Sequence, residues 1–177
     1  ALAKDVLVGM VTKGAAPAQA WLAALAAVVR DASLDPAFRA LCLRLPSDDD
    51  MAQTLQAGGA VPDPVRIYDA RRAARQAIAG HLAQDLPGLI AAMAEPGPFS
   101  PGARAGGRRA LRNAAVGYLS LVDDGAAATQ LFDAANNMTD EIESLSALLD
   151  VGRGQEELAR FAARWADNGN VMDKWYA

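Results

Sequence analysis

Histidine and cysteine are nearly missing from this chain. His81 is the only histidine and Cys42 the only cysteine among 177 residues. One histidine excludes a zinc site of the H-E-x-x-H type within these residues. One cysteine excludes an internal disulfide and any cysteine-based zinc cluster. β-Branched residues are scarce as well: Val, Ile and Thr together number 19, against 41 Ala. That balance disfavours a sheet and favours helices. No apolar run approaches the roughly 18 residues of a membrane span, and no basic stretch followed by an apolar one marks a signal peptide. The net charge of −4 disfavours nucleic acid and anionic membrane as partners. A lone thiol fits a reducing compartment, so the expected location is cytoplasmic.

What is present is an ordinary globular composition, 52% hydrophobic and 21% charged, in a chain long enough for a core. Residues 1–177 are expected to form a single helical domain. The chain opens at Ala1 without Met and closes in the apolar-aromatic stretch Asp173-Lys174-Trp175-Tyr176-Ala177. Those ends lead to the expectation of a fragment of a larger multidomain protein, with Trp175 and Tyr176 bared by the cut.

Helical periodicity fills the gaps between punctuation marks. Trp21, Leu22, Leu25, Val28 and Val29 share one face, and so do Phe38, Leu41, Cys42 and Leu45 after the Asp35-Pro36 start. Ser47-Asp48-Asp49-Asp50 reads as a capping box. Asp63-Pro64 opens a helix carrying Ile67, Ala74, Ile78 and Leu82, and Pro87 ends it or starts a new turn. Ser100-Pro101 opens a helix running to about Val122, and shorter helices follow. Met138, Ile142, Leu145 and Leu149, then Leu158, Phe161 and Trp165, form apolar stripes expected in the core. Asn137-Met138-Thr139-Asp140 and Asn170-Val171-Met172-Asp173 share the pattern N-x-x-D, an Asn cap with an acid three residues on. The expected helix caps are therefore Ser47, Asn137, Asp140, Asn170 and Asp173. About nine helices with short connections fit either a bundle or a curved stack of helix pairs.

Few residues suggest chemistry. His81 and Asp85 lie four apart, and with Ser120 they would make a hydrolase-like trio. His81 also falls beside Ile78 and Leu82, which favours a partly buried, structurally bonded imidazole. Asp48-Asp49-Asp50 lacks the spacing of a calcium loop and is explained by capping. Gly102, Gly106 and Gly107 lack the strand and the G-K-[ST] of a phosphate loop. Arg104, Arg108, Arg109 and Arg112 form the one basic cluster. Arg104 and Arg108 fall on the same side as Leu111, Ala115 and Val122, where a solvated stripe would not lie. Arg104, Arg108 and Arg112 are therefore candidate domain-interface or channel-facing residues. Arg112 is expected to pair within the chain with an acidic helix start such as Asp140-Glu141 or Glu156-Glu157, and Arg104 to be exposed.

Four segments carry a resemblance: Phe38-Arg39-Ala40-Leu41 followed by Leu45-Pro46-Ser47; Leu111-Arg112-Asn113-Ala114 with Tyr118-Leu119; Phe132 through Asp140 with its Asn-Asn-Met-Thr-Asp run; and Trp165 through Val171-Met172-Asp173-Lys174-Trp175. In order and spacing they resemble the C-terminal helical domain of the bacterial aminopeptidase N family, the zinc-dependent alanyl aminopeptidases. The family's H-E-x-x-H and G-x-M-E-N segments do not occur here, so no catalytic or metal residue carries over. The resemblance implies an all-α stack of antiparallel helix pairs, an armadillo or HEAT-like solenoid. It implies a non-catalytic part that helps enclose a chamber, admits extended peptides and excludes folded proteins. Zinc would belong to the parent metalloprotease, with no cofactor in this fragment. The partner would be the catalytic domain of the same polypeptide, and peptide substrates would be met only through the full enzyme. The competing reading is a free-standing helical-repeat module that binds a protein partner.

Overall fold

The computed structural model describes the backbone of residues 2–176 and the side chains of residues 2–173. Eleven α-helices and no strand occur among the described residues: α1 (Leu2–Lys13), α2 (Gln19–Arg30), α3 (Pro36–Cys42), α4 (Asp48–Ala57), α5 (Pro64–Leu82), α6 (Leu86–Ala92), α7 (Ala103–Asp123), α8 (Ala126–Ala134), α9 (Met138–Asp150), α10 (Gln155–Trp165) and α11 (Gly169–Tyr176). The all-helical expectation is met. The count rises above nine because the opening segment and the stretch after Pro87 are helices of their own. Residues 1–85 and 86–177 form two compact units.

In the first unit α1 lies against α2, α4 and α5, and α2 against α3 and α5. Leu7, Trp21, Met51, Ile67, Ile78 and Leu82 are buried, and together they supply the apolar area that holds short helices in place. Asp35 and Asp63 each precede a proline at the first helical position and accept two backbone N–H groups, from Ala37 and Phe38 and from Val65 and Arg66. Ser47 and Asp50 complete a reciprocal capping box at the start of α4.

The face of α3 is the reverse of the one its periodicity suggests. Phe38 is 49% and Leu41 62% exposed, whereas Arg39 is only 4% exposed. The inward side carries Ala40 and Leu43, both buried, and the buried guanidinium of Arg39 donates there to the Val29 carbonyl at the end of α2.

In the second unit each helix packs on its chain neighbours, α6 on α7 through α10 on α11, and α7 also reaches α9. That consecutive stacking is the pattern of helical repeats. Val116, Ala128, Ala147 and Leu148 form one core cluster, and Phe132, Leu145, Phe161 and Val171 another. Leu149 is exposed and Leu148 takes the inward place expected of it. Val122 is exposed too. Two glycines let the helices close on α9. Gly125 (φ 83°) and Gly154 (φ 89°) start α8 and α10. A Cβ on Gly154 would lie 2.9 Å from the Leu148 Cβ, and one on Gly125 would lie 3.0 Å from the Leu148 Cδ2.

Candidate functional site

The sequence places two acids, Asp140 and Glu141, in the first turn of α9, where the free N–H groups favour negative charge. Both are buried, at 3% and 2% exposure. A buried carboxylate needs partners, and these come from different helices. Arg112, on α7, pairs with Asp140 at 2.5 Å. Asn137 caps α9 by accepting from the Asp140 N–H at 3.0 Å, and its amide donates back to the Asp140 carboxylate at 2.7 Å. Arg164 and the indole N–H of Trp165, at the end of α10, both donate to Glu141. One turn of α9 thus ties α7 to α10 through charge-assisted bonds.

Beside it lies a cleft of about 90 Å³ walled by the loop through Gly97–Ser100, by Arg109 and Arg112 of α7, and by Asn136, Asn137 and Asp140. The loop is pinned at several points. Arg108 pairs with Glu95 at 2.6 Å and donates to the carbonyls of Ala92 and Ala94, the open C-terminal end of α6. Arg109 donates to the Ser100 carbonyl and stacks over Phe99 at 4.6 Å. Asn136 donates to the Gly97 carbonyl. Arg108 and Arg112 on this wall are paired with acids, whereas Arg109 meets only a carbonyl and a ring, and the Arg112 Nε and one Asp140 carboxylate oxygen are buried without a hydrogen-bond partner.

The sequence-predicted residues fall as follows. Arg112, Asn137 and Asp140 are brought together, with Arg112 paired to Asp140 inside the unit and lining the cleft. Arg108 is likewise occupied by Glu95 and two carbonyls. Arg104 is exposed at the start of α7. Ser47 sits at its helix start. Asn170 does not cap α11. The acceptor is Asn168, whose side chain takes the Val171 N–H at 3.3 Å, so Asn170 lies within the first turn. Asp173 is exposed. The side chains of Trp175 and Tyr176 lie outside the described residues.

His81 is exposed, contrary to the expectation of a partly buried ring. The Asp85 carboxylate is held by Arg30 through two bonds of 2.8 and 2.9 Å, and Ser120 is fully buried. The hydrolase trio therefore lacks both an available acid and an accessible hydroxyl. Asp48 and Asp50 are taken by Arg71, Ser47 and Lys4, and no group of three or more His, Cys, Asp or Glu suited to a metal ion occurs among the described residues. No helix among them is long and apolar enough to cross a membrane.

Sequence reasoning missed three features: the Glu141–Arg164–Trp165 knot, the buried Arg39 and the pinned loop. Trp165 carried a signal, since a largely covered indole N–H needs an acceptor. The i, i+4 spacing of Arg108 and Arg112 marked one face of α7 but not which carboxylate each would meet.

The neighbour-on-neighbour packing of α6 to α11 is that of an armadillo-type helical-repeat domain. The chain belongs to the family described as "Domain of unknown function (DUF3458_C) ARM repeats", which matches residues 1–177. It is similar to aminopeptidase N of Caulobacter vibrioides, 39% identical over 159 residues that cover 87% of this chain and 18% of that protein. It is similar to aminopeptidase N of Escherichia coli K12, 31% identical over 158 residues, covering 86% and 18%. A crystal structure of Legionella pneumophila aminopeptidase A in complex with aspartic acid shares the fold, with a TM-score of 0.78 and 21% identity over 98% of this chain and 22% of that one. The resemblance to the C-terminal helical domain of bacterial aminopeptidase N is thus borne out. The chain spans 18% of the length of the curated relatives it matches.

Proposed function

We propose that this chain is the non-catalytic C-terminal helical domain of a cytoplasmic zinc metallo-aminopeptidase that removes N-terminal residues from peptides. In this reading it packs against the catalytic domain of the same polypeptide, helps enclose the chamber and restricts entry to extended peptides. The observation that carries the reading is the 39% identity to an aminopeptidase N across 87% of the chain. The pairing of Arg108, Arg112, Asp140 and Glu141 within the unit is consistent with a structural role for them. Zinc and the reacting groups would lie in the remainder of the polypeptide.

The test is to assay the longer polypeptide that contains these residues on alanyl peptides and on a folded protein with an extended N-terminus. Chelator-sensitive release of N-terminal residues, fast from short peptides and slow from the folded protein, is expected. A longer polypeptide that cleaves neither, or a gene product ending with this domain alone, would favour the free-standing interaction module.

A further inference from the structure

Three polar groups of the cleft beside the first turn of α9 are left over by the fold. Asp140 is buried and lines the cleft. Its Oδ2 accepts from Arg112 and Asn137, but its Oδ1 has no hydrogen-bond partner. The Nε of Arg112, on the same wall, is buried and unpartnered as well. An unmet buried donor or acceptor is costly, and more so on a charged group. Arg109 is partly buried on this wall, donates to the Ser100 carbonyl and stacks over Phe99, and none of the described carboxylates pairs with it. The mixture of signs decides what could meet these groups. A lone anion drawn to Arg109 would also face Asp140 and Glu95, and a lone cation drawn to Asp140 would face Arg109 and Arg112. A molecule carrying both charges a few atoms apart suits both ends. Phe99, Leu131 and Ala134 add apolar surface, and the volume of about 90 Å³ favours a small occupant.

We propose that this cleft binds a small free α-amino acid, of the size of glycine or alanine. Its carboxylate accepts from the Arg109 guanidinium, whose fork suits two oxygens, and from the Arg112 Nε–H. Its ammonium donates to the Asp140 Oδ1. The ion pair that ties α7 to α9 is kept, since the Asp140 Oδ2 still takes Arg112 and Asn137. The site stands apart from the aminopeptidase reading, because every group it uses belongs to the second unit of this chain.

The test is a titration of the chain with glycine and L-alanine, read by calorimetry and by the Nε–H resonances of Arg109 and Arg112. Millimolar binding that shifts both resonances is expected. Acetate, which offers only the carboxylate, and methylammonium, which offers only the cation, should bind about tenfold more weakly or worse. Arg109→Gln should weaken L-alanine by about tenfold or more and leave the thermal midpoint close to the parental one. Arg104→Gln, at the exposed start of α7, should bind as the parent does. Asp140→Asn disturbs the α9 turn itself, so Arg109 carries the test. No binding of either amino acid, or unchanged binding in Arg109→Gln, would overturn the inference. So would acetate binding as tightly as alanine, which would make the cleft a simple anion site, or acetamide doing so, which would show that the two charges are not what it recognises.

Discussion

In the first unit the ion pairs sit at the rim of the fold. Lys4–Asp50, Arg30–Asp85 and Arg71–Asp48 each have at least one partner more than half exposed. In the second unit Arg160–Asp133 is of the same kind, and Arg164–Glu141 joins a half-exposed guanidinium to a buried carboxylate, but Arg112–Asp140 is buried on both sides. Exposed pairs gain little, because water competes for both partners and long side chains lose freedom. A buried pair has a different effect. Its net gain over an apolar pair is small, but breaking it strands a charge, so it specifies which helices must meet. The first unit leaves specification to apolar packing and to caps such as Asp35 and Asp63. The second adds an ionic lock at the turn where α7, α9 and α10 converge.

The largest expected effect tests that lock. Arg112→Ala should destabilise the chain by about 3 kcal/mol, towards the lower end of the range for stranding a buried charge, because the Asn137 amide still donates to Asp140. Arg71→Ala, its counterpart in the first unit, should cost less than about 1 kcal/mol. Urea melts of the two variants decide, and equal small losses would erase the distinction between the units.

Much of this contrast was legible in the sequence, and the illegible part has a physical cause. The Asp-Pro starts of α3 and α5, the capping box of α4 and the buried face Ile67, Ala74, Ile78 and Leu82 follow from local rules. Arg112 with Asp140-Glu141 was legible as a likeness of type, a basic residue on an apolar face and acids at a helix start. The failures are non-local. Periodicity put Phe38 and Leu41 inside, whereas Ala40 and Leu43 take the inward side together with Arg39, which meets the Val29 carbonyl. It put His81 inside because Ile78 and Leu82 beside it are buried, whereas the side of α5 that His81 itself occupies there is exposed. It put the α11 cap on Asn170 because two asparagines, Asn168 and Asn170, stand two residues apart and only the backbone chooses between them.

That choice supplies the next effect in size. Asn137→Ala removes the acceptor for the Asp140 N–H and one donor to the buried carboxylate, and should cost about 1–2 kcal/mol. Asn170→Ala, at a position already inside its helix, should stay within about 0.5 kcal/mol. Thermal melts at fixed pH compare them. A larger loss from Asn170 would return the α11 cap to the position its N-x-x-D pattern suggests.

The smallest effect is one of pH, in the first unit. Asp85 is held below its ordinary value of 3.8, chiefly by hydrogen bonds from Arg30, with the positive fields of Arg30 and His81 adding to them and partial burial opposing. A carboxylate lower in the folded than in the unfolded state stabilises the fold above its unfolded value. That contribution fades as the pH falls through the folded value. In Arg30→Ala the Asp85 carboxyl should therefore titrate nearer 3.8, and stability should lose some of its dependence on pH below about 4. Asp50 is held low by Ser47 and Lys4 instead, so its titration should not move. Carboxyl chemical shifts followed from pH 7 to pH 2 read both groups in one experiment. If Asp85 stayed low without Arg30, the surface pair would not be what holds it. The first unit would then contain a carboxylate site fixed by the helix end and His81, closer in kind to the buried acids of α9.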